Sequence, residues 1–350
     1  MKYTLMNVIW ETTHGCNLRC SHCGSSCDDS LPDELNAEES LCLAEQITEL
    51  NPQLITLTGG EPLLRNDWPQ VVARLQEKSN EDCVIQMITN GTLVTTDIAK
   101  RMKECGLKYV TISIDGLQEQ HDYTRGNGVF QKCCDAIAIL QEQGITVGVN
   151  TTLTKENIGD LPELKQLLIG FGVLRWQLQT AAPMGNFVKR INSMLEPNTF
   201  KNIIDFAYDV NKEGKITILL TEEIGYYSRK EAIARQMDLK TSLLPVWRGC
   251  NSGIKSVGIL ANGDIIGCNS IRDKSFVEGN IRERSVSEIW NDENSFSWRR
   301  KLKKEMLSGF CKTCMYGDVC LGGCSNVRLT REGGLYSDNH YCLYRCSVNK

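Results

Sequence analysis

The alternation of short β-rich runs with longer amphipathic runs is the feature that most restricts the fold of this 350-residue chain. The β-rich runs are residues 3–11, 54–58, 83–89, 109–114, 146–153 and 175–179, and the amphipathic runs between them are residues 37–50, 68–78, 95–105, 129–143 and 161–171. The strands look buried on both faces, and each returns through a helix long enough for a parallel crossover. Six strand–helix units by about residue 212 are fewer than the eight of a closed barrel, so we expect an α/β fold with an open, partial (β/α)6 TIM-like barrel.

Charge and hydropathy exclude two classes of partner. The formal net charge is −4, and the Lys and Arg residues are spread among acids, which argues against nucleic acid binding. No run approaches about 18 to 20 apolar residues, and the amino-terminal residues lack a signal-peptide core, so we expect a cytoplasmic protein without a membrane span. Disulfides are disfavoured in that compartment, so clusters among the 17 cysteines indicate metal binding or redox chemistry.

The first cysteine cluster directly follows the first predicted strand. Cys16, Cys20 and Cys23 form a C-x3-C-x2-C loop. Three thiolates on one compact loop suit three corners of a [4Fe-4S] cluster, and the fourth iron is then left for a substrate. The alternative is a structural zinc site, which needs a fourth ligand such as Cys27, His14 or His22.

Two further motifs complete a resemblance to a known family. Residues 59–62 (GGEP) follow the second strand and residues 113–116 (SIDG) end the fourth. Together with the cysteine loop they resemble the radical S-adenosylmethionine (radical SAM) superfamily over about residues 5 to 215. The resemblance implies that the open iron binds the methionine amino and carboxylate groups of SAM. It further implies that the reduced cluster cleaves SAM to a 5′-deoxyadenosyl radical, which takes hydrogen from the substrate.

The same resemblance implies a set of SAM contacts. Its members lie at or just beyond the ends of predicted strands, where glycines permit close backbone approach. They are Gly59, Gly60, Glu61, Pro62, Ser113, Arg125 and Asn150. No catalytic acid or base stands out from the sequence.

The last third of the chain carries a second cysteine pattern, which resembles the SPASM extension of radical SAM enzymes. That resemblance implies two auxiliary iron–sulfur clusters, the first held by Cys250, Cys268 and Cys324 and the second by Cys311, Cys314, Cys320 and Cys342. The missing fourth ligand of the first cluster could be water, substrate, a noncysteine side chain or an unassigned thiol such as Cys346. A zinc-bound, treble-clef-like module is the alternative.

Local patterns predict how this segment folds. Asn262–Gly263 predicts a hairpin turn that brings Cys250 and Cys268 together. Residues 285–306 predict one helix between the two ligand sets. We expect a radical SAM partial barrel over residues 1–215, a bridging segment over 216–249 and the auxiliary-cluster domain over 250–350.

The SPASM resemblance favours a peptide or protein substrate. The HCGSS and GGEPLLR contexts are similar to peptide maturases of pyrroloquinoline quinone and mycofactocin biosynthesis, which implies crosslinking, oxidation or epimerisation of a ribosomally synthesised peptide. Since the first strand begins by about residue 5, no peptide-recognition domain is expected before it. A separate leader-binding protein would then present the peptide. The expected electron donor is a flavodoxin or ferredoxin. Residues 175–186 and 222–227 are expected to line the substrate cavity, although Tyr226 and Tyr227 are expected to be packing residues.

Three other functions remain open. One is a radical SAM enzyme acting on a small molecule, of the alcohol dehydrogenase or haem-pathway type. Another is an anaerobic sulfatase maturase, although its relatives tend to carry an aromatic residue where this chain has His22. The most distant is a nonenzymatic zinc-binding protein.

Metal analysis separates the iron–sulfur hypothesis from the zinc hypothesis. After anaerobic reconstitution we expect about twelve iron per chain, as three cubane clusters hold. Dithionite-dependent formation of 5′-deoxyadenosine from SAM should be lost in Cys16→Ala, Cys20→Ala and Cys23→Ala. Two or three zinc ions and no SAM cleavage would contradict this prediction.

Overall fold

The computed structural model of the protein describes residues 3–237 and 247–348, and a ten-stranded sheet runs through both segments. The strands are β1 Asn7–Glu11, β2 Leu54–Thr58, β3 Val84–Thr89, β4 Tyr109–Ser113, β5 Thr146–Leu153, β6 Arg175–Thr180, β7 Thr217–Leu220, β8 Ser256–Ile259, β9 Asp264–Ile266 and β10 Val277–Asn280. Their order is β10-β9-β8-β1-β2-β3-β4-β5-β6-β7. Strands β8 and β1 to β7 are parallel to one another, whereas β9 pairs antiparallel with both β8 and β10.

Helices fill the crossovers between the parallel strands, as the alternation of sequence patterns predicts. They are α1 Ala37–Thr48, α2 Trp68–Lys78, α3 Thr96–Glu104, α4 Gln118–Arg125, α5 Val129–Glu142, α6 Leu161–Gly170, α7 Phe200–Glu213 and α8 Glu231–Ala234. Helix α1 begins at a capping box, in which Asn36 and Glu39 each bond the other's backbone N–H. The later helices are short: α9 Val286–Asn291, α10 Ser297–Arg300, α11 Gly309–Thr313, α12 Gly317–Cys320, α13 Ser325–Arg331 and α14 Leu343–Val348.

The strands are fully buried on one face only. In β3, β4 and β6, every second residue is buried with the core, while the residues between them keep some exposure. The expectation of burial on both faces is therefore wrong for these strands. Small and polar side chains such as Gln86, Thr111 and Gln177 occupy the inner face, and Gln86 donates a 2.8 Å hydrogen bond to Thr56.

The inner face therefore surrounds a cavity instead of a packed core. Its volume is about 560 Å³. The cavity extends from the amino ends of the strands, at Asn7 and Tyr109, to Asn150. A closed (β/α)8 barrel is filled by layers of large side chains, whereas this open barrel keeps room for a ligand.

The sheet continues past the six predicted strands at both edges. Strand β7 pairs with β6, and among the described strands it has no second neighbour, which leaves the barrel open. On the other side, β8 pairs in parallel with β1. These strands lie in the predicted bridge and auxiliary segments, and the division at residues 215 and 249 stays a prediction. Residues 238–246 of the bridge lie outside the described residues.

Two local predictions for the last third have different outcomes. The hairpin is confirmed: β8 and β9 are antiparallel, and Gly263 adopts φ +87° in the turn between them. The single helix over residues 285–306 is wrong, because the chain forms α9 and α10 with a break between them. Phe296, with φ +55° in the left-handed region, interrupts the helix there.

Backbone contacts lock the loop after β2 onto the loop after β1. Gly60 N donates to Thr13 O at 2.7 Å, and Glu61 N donates to Gly15 O at 2.8 Å. A Cβ at Gly59 would overlap the Thr13 carbonyl, and one at Gly60 would overlap the Gly15 carbonyl. The glycines are therefore required for close approach of one loop backbone to the other.

Substitution of Gly60 tests this contact. We expect Gly60→Ala to lower the free energy of unfolding by about 3 kcal/mol, because its new methyl group must displace backbone. The matched control is Gly159→Ala, since no atom lies within 4 Å of the position of its Cβ. Urea unfolding followed by circular dichroism measures both variants. Equal stability of the two would refute the locking contact.

Candidate functional site

The three thiols of the first cluster motif share the loop after β1. Cys20 is buried, while Cys16 and Cys23 keep some exposure. A 3.2 Å hydrogen bond from Cys23 N to Cys20 O closes a turn between two of them. Burial raises the pKa of Cys20 to about 11, and the neighbouring thiols at Cys16 and Cys23 add to the rise. The trio thus lies together at the carboxyl end of β1.

A segment beyond β6 closes over this loop. Asn186 N donates to Cys23 O at 2.9 Å, and Asn186 Nδ2 donates to Cys20 O at 3.1 Å. Gly185, with φ +51°, allows the close approach, since a Cβ there would overlap the backbone of residues 23 and 24. This part of the segment 175–186 therefore holds the cysteine loop in place.

Asp115, just beyond β4, is fully buried under the same loop. Its carboxylate accepts from Arg125 Nε at 2.5 Å, from Thr152 N at 2.8 Å and pairs with His22 Nε2 at 2.9 Å. Burial by itself raises the pKa of a carboxyl group, but Arg125 and His22 hold the pKa of Asp115 well below its usual range.

The partners of Asp115 connect it to the thiols. His22 belongs to the cysteine loop itself, between Cys20 and Cys23. Arg125 Nη1 lies 3.9 Å from the Cys20 sulfur. The sequence offered His22 as a candidate zinc ligand and Arg125 as a SAM contact, and the structure places both on Asp115. A SAM contact by Arg125 stays a prediction.

Glu61 of the GGEP motif ties the second loop to the third strand. It is fully buried, and its carboxylate accepts from Thr89 Oγ1 at 2.8 Å, Asn90 N at 2.8 Å and Leu63 N at 3.1 Å. Burial raises its pKa despite these donors. Glu61 thereby holds the backbone of the motif at the carboxyl ends of β2 and β3.

Two other predicted SAM contacts are neighbours in the sheet. Ser113 and Asn150 are register partners on β4 and β5. Asn150 lines the barrel cavity. Ser113 and Asn150 thus lie on adjacent strands near the carboxyl edge of the sheet. The contacts of these two residues and of Gly59 to Pro62 with SAM stay predictions.

The second auxiliary set surrounds one small pocket, with a cavity volume of about 10 Å³. Its four thiols and two tyrosines, Tyr226 and Tyr227, line that space, the thiols being Cys311, Cys314, Cys320 and Cys342. Tyr227 stacks on Tyr316 at 4.0 Å between ring centroids, and its hydroxyl donates to Trp247 O at 2.8 Å. The two tyrosines were expected to be packing residues, and they pack around the second thiol set.

The first auxiliary set is assembled from three distant parts of the chain. Cys250 precedes β8, Cys268 follows β9 and Cys324 precedes α13. Burial raises the pKa of Cys268 to about 11, and the Cys250 thiol adds to the rise. Burial also raises the pKa of Cys324, and the thiols of Cys250 and Cys268 add to the rise. The backbone N–H of Cys324 donates to Tyr226 Oη at 3.0 Å.

The chain that follows Cys268 lies against β1. Asn269 Nδ2 donates to Ile9 O at 3.4 Å, and Arg272 forms an ion pair with Glu11. Sequence reasoning missed the Glu11–Arg272 pair, because the two residues are far apart in the chain and neither belongs to a motif.

Sequence reasoning placed Glu222 only in a cavity-lining segment. Its carboxylate accepts from Asn251 N at 3.1 Å and from Asn251 Nδ2 at 2.6 Å. The Cys250 thiol is within hydrogen-bonding reach of the same carboxylate, and burial raises the pKa of Glu222. A glutamate two residues past a strand end was the only signal available in the sequence.

The donor chemistry fits iron–sulfur clusters. Each set supplies clustered thiols, the ligands that such clusters use. Among residues 3–237 and 247–348, no three Cys, His, Asp or Glu side chains converge on a position for one metal ion. Thiolates of a cubane cluster each bind a different iron, so they stand farther apart than the ligands of one ion. Cys16, Cys20 and Cys23 would hold one cluster, and the two auxiliary sets one each.

The chain matches two family models. Residues 10–168 match the model of the radical SAM superfamily, and residues 250–315 match that of the SPASM iron–sulfur cluster-binding domain. Within the part of the chain that the structure describes, no helix is long and apolar enough to cross a membrane.

Curated relatives are similar over nearly the whole chain. The Fe-coproporphyrin III synthase of Methanosarcina barkeri is 30% identical over 96% of this chain and 87% of its own. The AdoMet-dependent heme synthase of the same organism is 28% identical over 97% of this chain and 96% of its own. The mycofactocin maturase MftC of Mycobacterium tuberculosis is 24% identical over 91% of this chain and 77% of its own.

A solved structure shares the fold. Streptococcus suis SuiB bound to S-adenosylmethionine superposes with a TM-score of 0.75 and 14% identity, over 96% of this chain and 76% of that one. The expected combination of partial barrel and cysteine-rich extension is confirmed by the family models and by this fold.

Neutralising Asp115 tests the buried network. Asp115→Asn leaves Arg125 without its carboxylate, and removal of one member of a buried ion pair costs about 3–5 kcal/mol. The matched control is Asp205→Asn, because that carboxylate bonds Lys201 and Lys230 on the surface, where we expect a loss of at most about 1 kcal/mol. Urea unfolding measures both, and equal losses would contradict the role of Asp115.

Proposed function

Since the chain belongs to the radical SAM superfamily and carries a SPASM domain, we propose that it takes a hydrogen atom from a tetrapyrrole substrate held inside the partial barrel. This proposal replaces the peptide as the first expected substrate with the small-molecule alternative of the haem-pathway type.

The substrate class is supported by the similarity of this chain, over both domains, to enzymes whose names include a tetrapyrrole. A heme synthase and an Fe-coproporphyrin III synthase each align with at least 96% of this chain. The alignment therefore includes the barrel strands, the first cysteine loop and the auxiliary thiols together. A shared radical SAM core alone would support no substrate class, because one fold hosts many reactions.

The barrel cavity has the size of a ligand pocket. Its volume of about 560 Å³ lies within the usual range of about 300–1,000 Å³ for such pockets. The lining combines apolar residues with amides, including Gln86, Gln177 and Asn150. Arg175 lines the cavity near the amino end of β6 and forms no ion pair with any described residue. Its guanidinium is available to bind a carboxylate of a porphyrin.

The chain's own residues would bind and orient the reactants. When bound and reduced, the first cluster would supply the electron that cleaves SAM to methionine and the 5′-deoxyadenosyl radical. A C–H bond of the substrate then breaks, and a C–H bond of 5′-deoxyadenosine forms. The GGEP backbone, with Ser113 and Asn150, would contact SAM. The segment around Asn186 would cover the cysteine loop and exclude water from it.

A peptide substrate is the second candidate. It is supported by the similarity to MftC, a mycofactocin maturase, and by the HCGSS and GGEPLLR contexts. This candidate would add a leader-binding protein as a partner. In either case a flavodoxin or ferredoxin would supply the electron.

Isotope transfer tests the substrate class. The reconstituted protein, SAM and dithionite are incubated with perdeuterated Fe-coproporphyrin III, and 5′-deoxyadenosine is analysed by mass spectrometry. We expect deuterium in 5′-deoxyadenosine, because the radical takes its hydrogen from the bound substrate. Cleavage of SAM without deuterium transfer from this porphyrin or from its metal-free form would reject the tetrapyrrole proposal and leave the peptide candidate.

A cavity variant adds a second readout to the same assay. Arg175→Gln should raise KM for the porphyrin about 10- to 100-fold, the loss expected for one charge-assisted hydrogen bond. The control Lys165→Gln removes a cation from helix α6, where Lys165 pairs with Glu213, and should leave KM unchanged. An unchanged KM in Arg175→Gln would exclude Arg175 as a carboxylate contact.

A further inference from the structure

We propose that Glu222 is the fourth protein ligand of the auxiliary cluster assigned to Cys250, Cys268 and Cys324. The inference rests on the presence of that cluster and is independent of the substrate class. It supplies a protein donor where the cysteine pattern leaves one iron without a thiolate.

The thiols of the described residues do not supply that ligand. No cysteine lies between Cys250 and Cys268 in the sequence. Cys346 has its sulfur 3.9 Å from the backbone oxygen of His340, and Cys27 is hydrogen-bonded to Cys23 of the first loop. The other auxiliary thiols line their own pocket.

Glu222 lies where a fourth donor is needed. It follows β7 by two residues, and Asn251, the neighbour of Cys250, holds its carboxylate through Nδ2 at 2.6 Å and N at 3.1 Å. The carboxylate is within hydrogen-bonding reach of the Cys250 thiol and acts electrostatically on Cys268. It therefore adjoins two of the three thiols and is oriented by backbone and amide donors.

Glu222 has no ion-pair partner among the described residues. Arg235 acts on its carboxylate electrostatically but pairs with Glu231 instead. The hydrogen-bond donors to this carboxylate are N and Nδ2 of Asn251, which are uncharged. Carboxylate oxygen is an established ligand type for iron in proteins.

Glu278 provides a control, since Glu223 acts electrostatically on Cys324 and is too close to the same thiols. Glu278 lies in β10 and carries the same side chain, and its carboxylate accepts from Trp298 Nε1 at 3.0 Å. Glu278→Gln should therefore leave the ligands of the auxiliary cluster unchanged.

The test uses the full chain with Cys16, Cys20 and Cys23 replaced by alanine, so that only the auxiliary clusters remain. After reconstitution we expect about eight iron per chain. Reduced protein is mixed with ¹³C-labelled cyanide, and pulsed EPR detects cyanide bound to a cluster. With Glu222 in place we expect no ¹³C coupling. Glu222→Gln should expose one iron, so that coupling appears or about one iron per chain is lost as a three-iron cluster forms.

Each result decides the proposal. Cyanide coupling before any change at Glu222, no change in Glu222→Gln, or a change equal to that in Glu278→Gln would overturn it. If the reconstituted variant contains no auxiliary iron, the Glu222 proposal fails because its premise is wrong. The result of the porphyrin assay is not affected by that outcome. If Glu222→Gln does not fold, Glu222→Cys replaces oxygen by sulfur at the same position, and we expect a shifted cluster reduction potential. An unshifted potential in that variant would also overturn the proposal.

Discussion

The buried carboxylate of Asp115 is the interaction on which the arrangement of the first thiol loop depends. It joins the end of β4 to Arg125 of α4, to His22 of the cysteine loop and to the backbone of β5. A desolvated carboxylate is costly unless its partners are all in place, so this network favours one position of the loop. Arg125 also reaches Cys20, which links the position of the loop to the charge at a cluster ligand.

The two ends of the barrel have opposite physical character. At the carboxyl ends of the strands, glycine contacts, buried acids and a covering segment hold the loops in close contact. The interior towards the amino ends is lined by amides, threonines and small residues, and it stays hollow. Such an interior gives up the free energy of a packed core, about 1.5–3 kcal/mol for each large apolar side chain left out.

The auxiliary segment is part of the same sheet. Because β8 pairs in parallel with β1, the β8–β9 hairpin brings Cys250 and Cys268 to the edge of the barrel. The Glu11–Arg272 pair then fixes the chain after Cys268 against the inner strand. The first auxiliary set consequently lies at the β8 edge of the parallel strands, whereas the second lies beside the stacked rings of Tyr227 and Tyr316.

The sequence by itself determined the parallel strand–helix order, the hairpin at Gly263 and the grouping of thiols in the first loop, because each depends on residues close together in the chain. It misjudged the inner face of the strands and the helix broken at Phe296. Only the tertiary structure decided that the barrel is hollow, that Asp115 holds His22 and Arg125, and that Glu222 adjoins Cys250. These contacts join residues from different loops, and their meeting is set by strand register and packing, which local patterns do not encode.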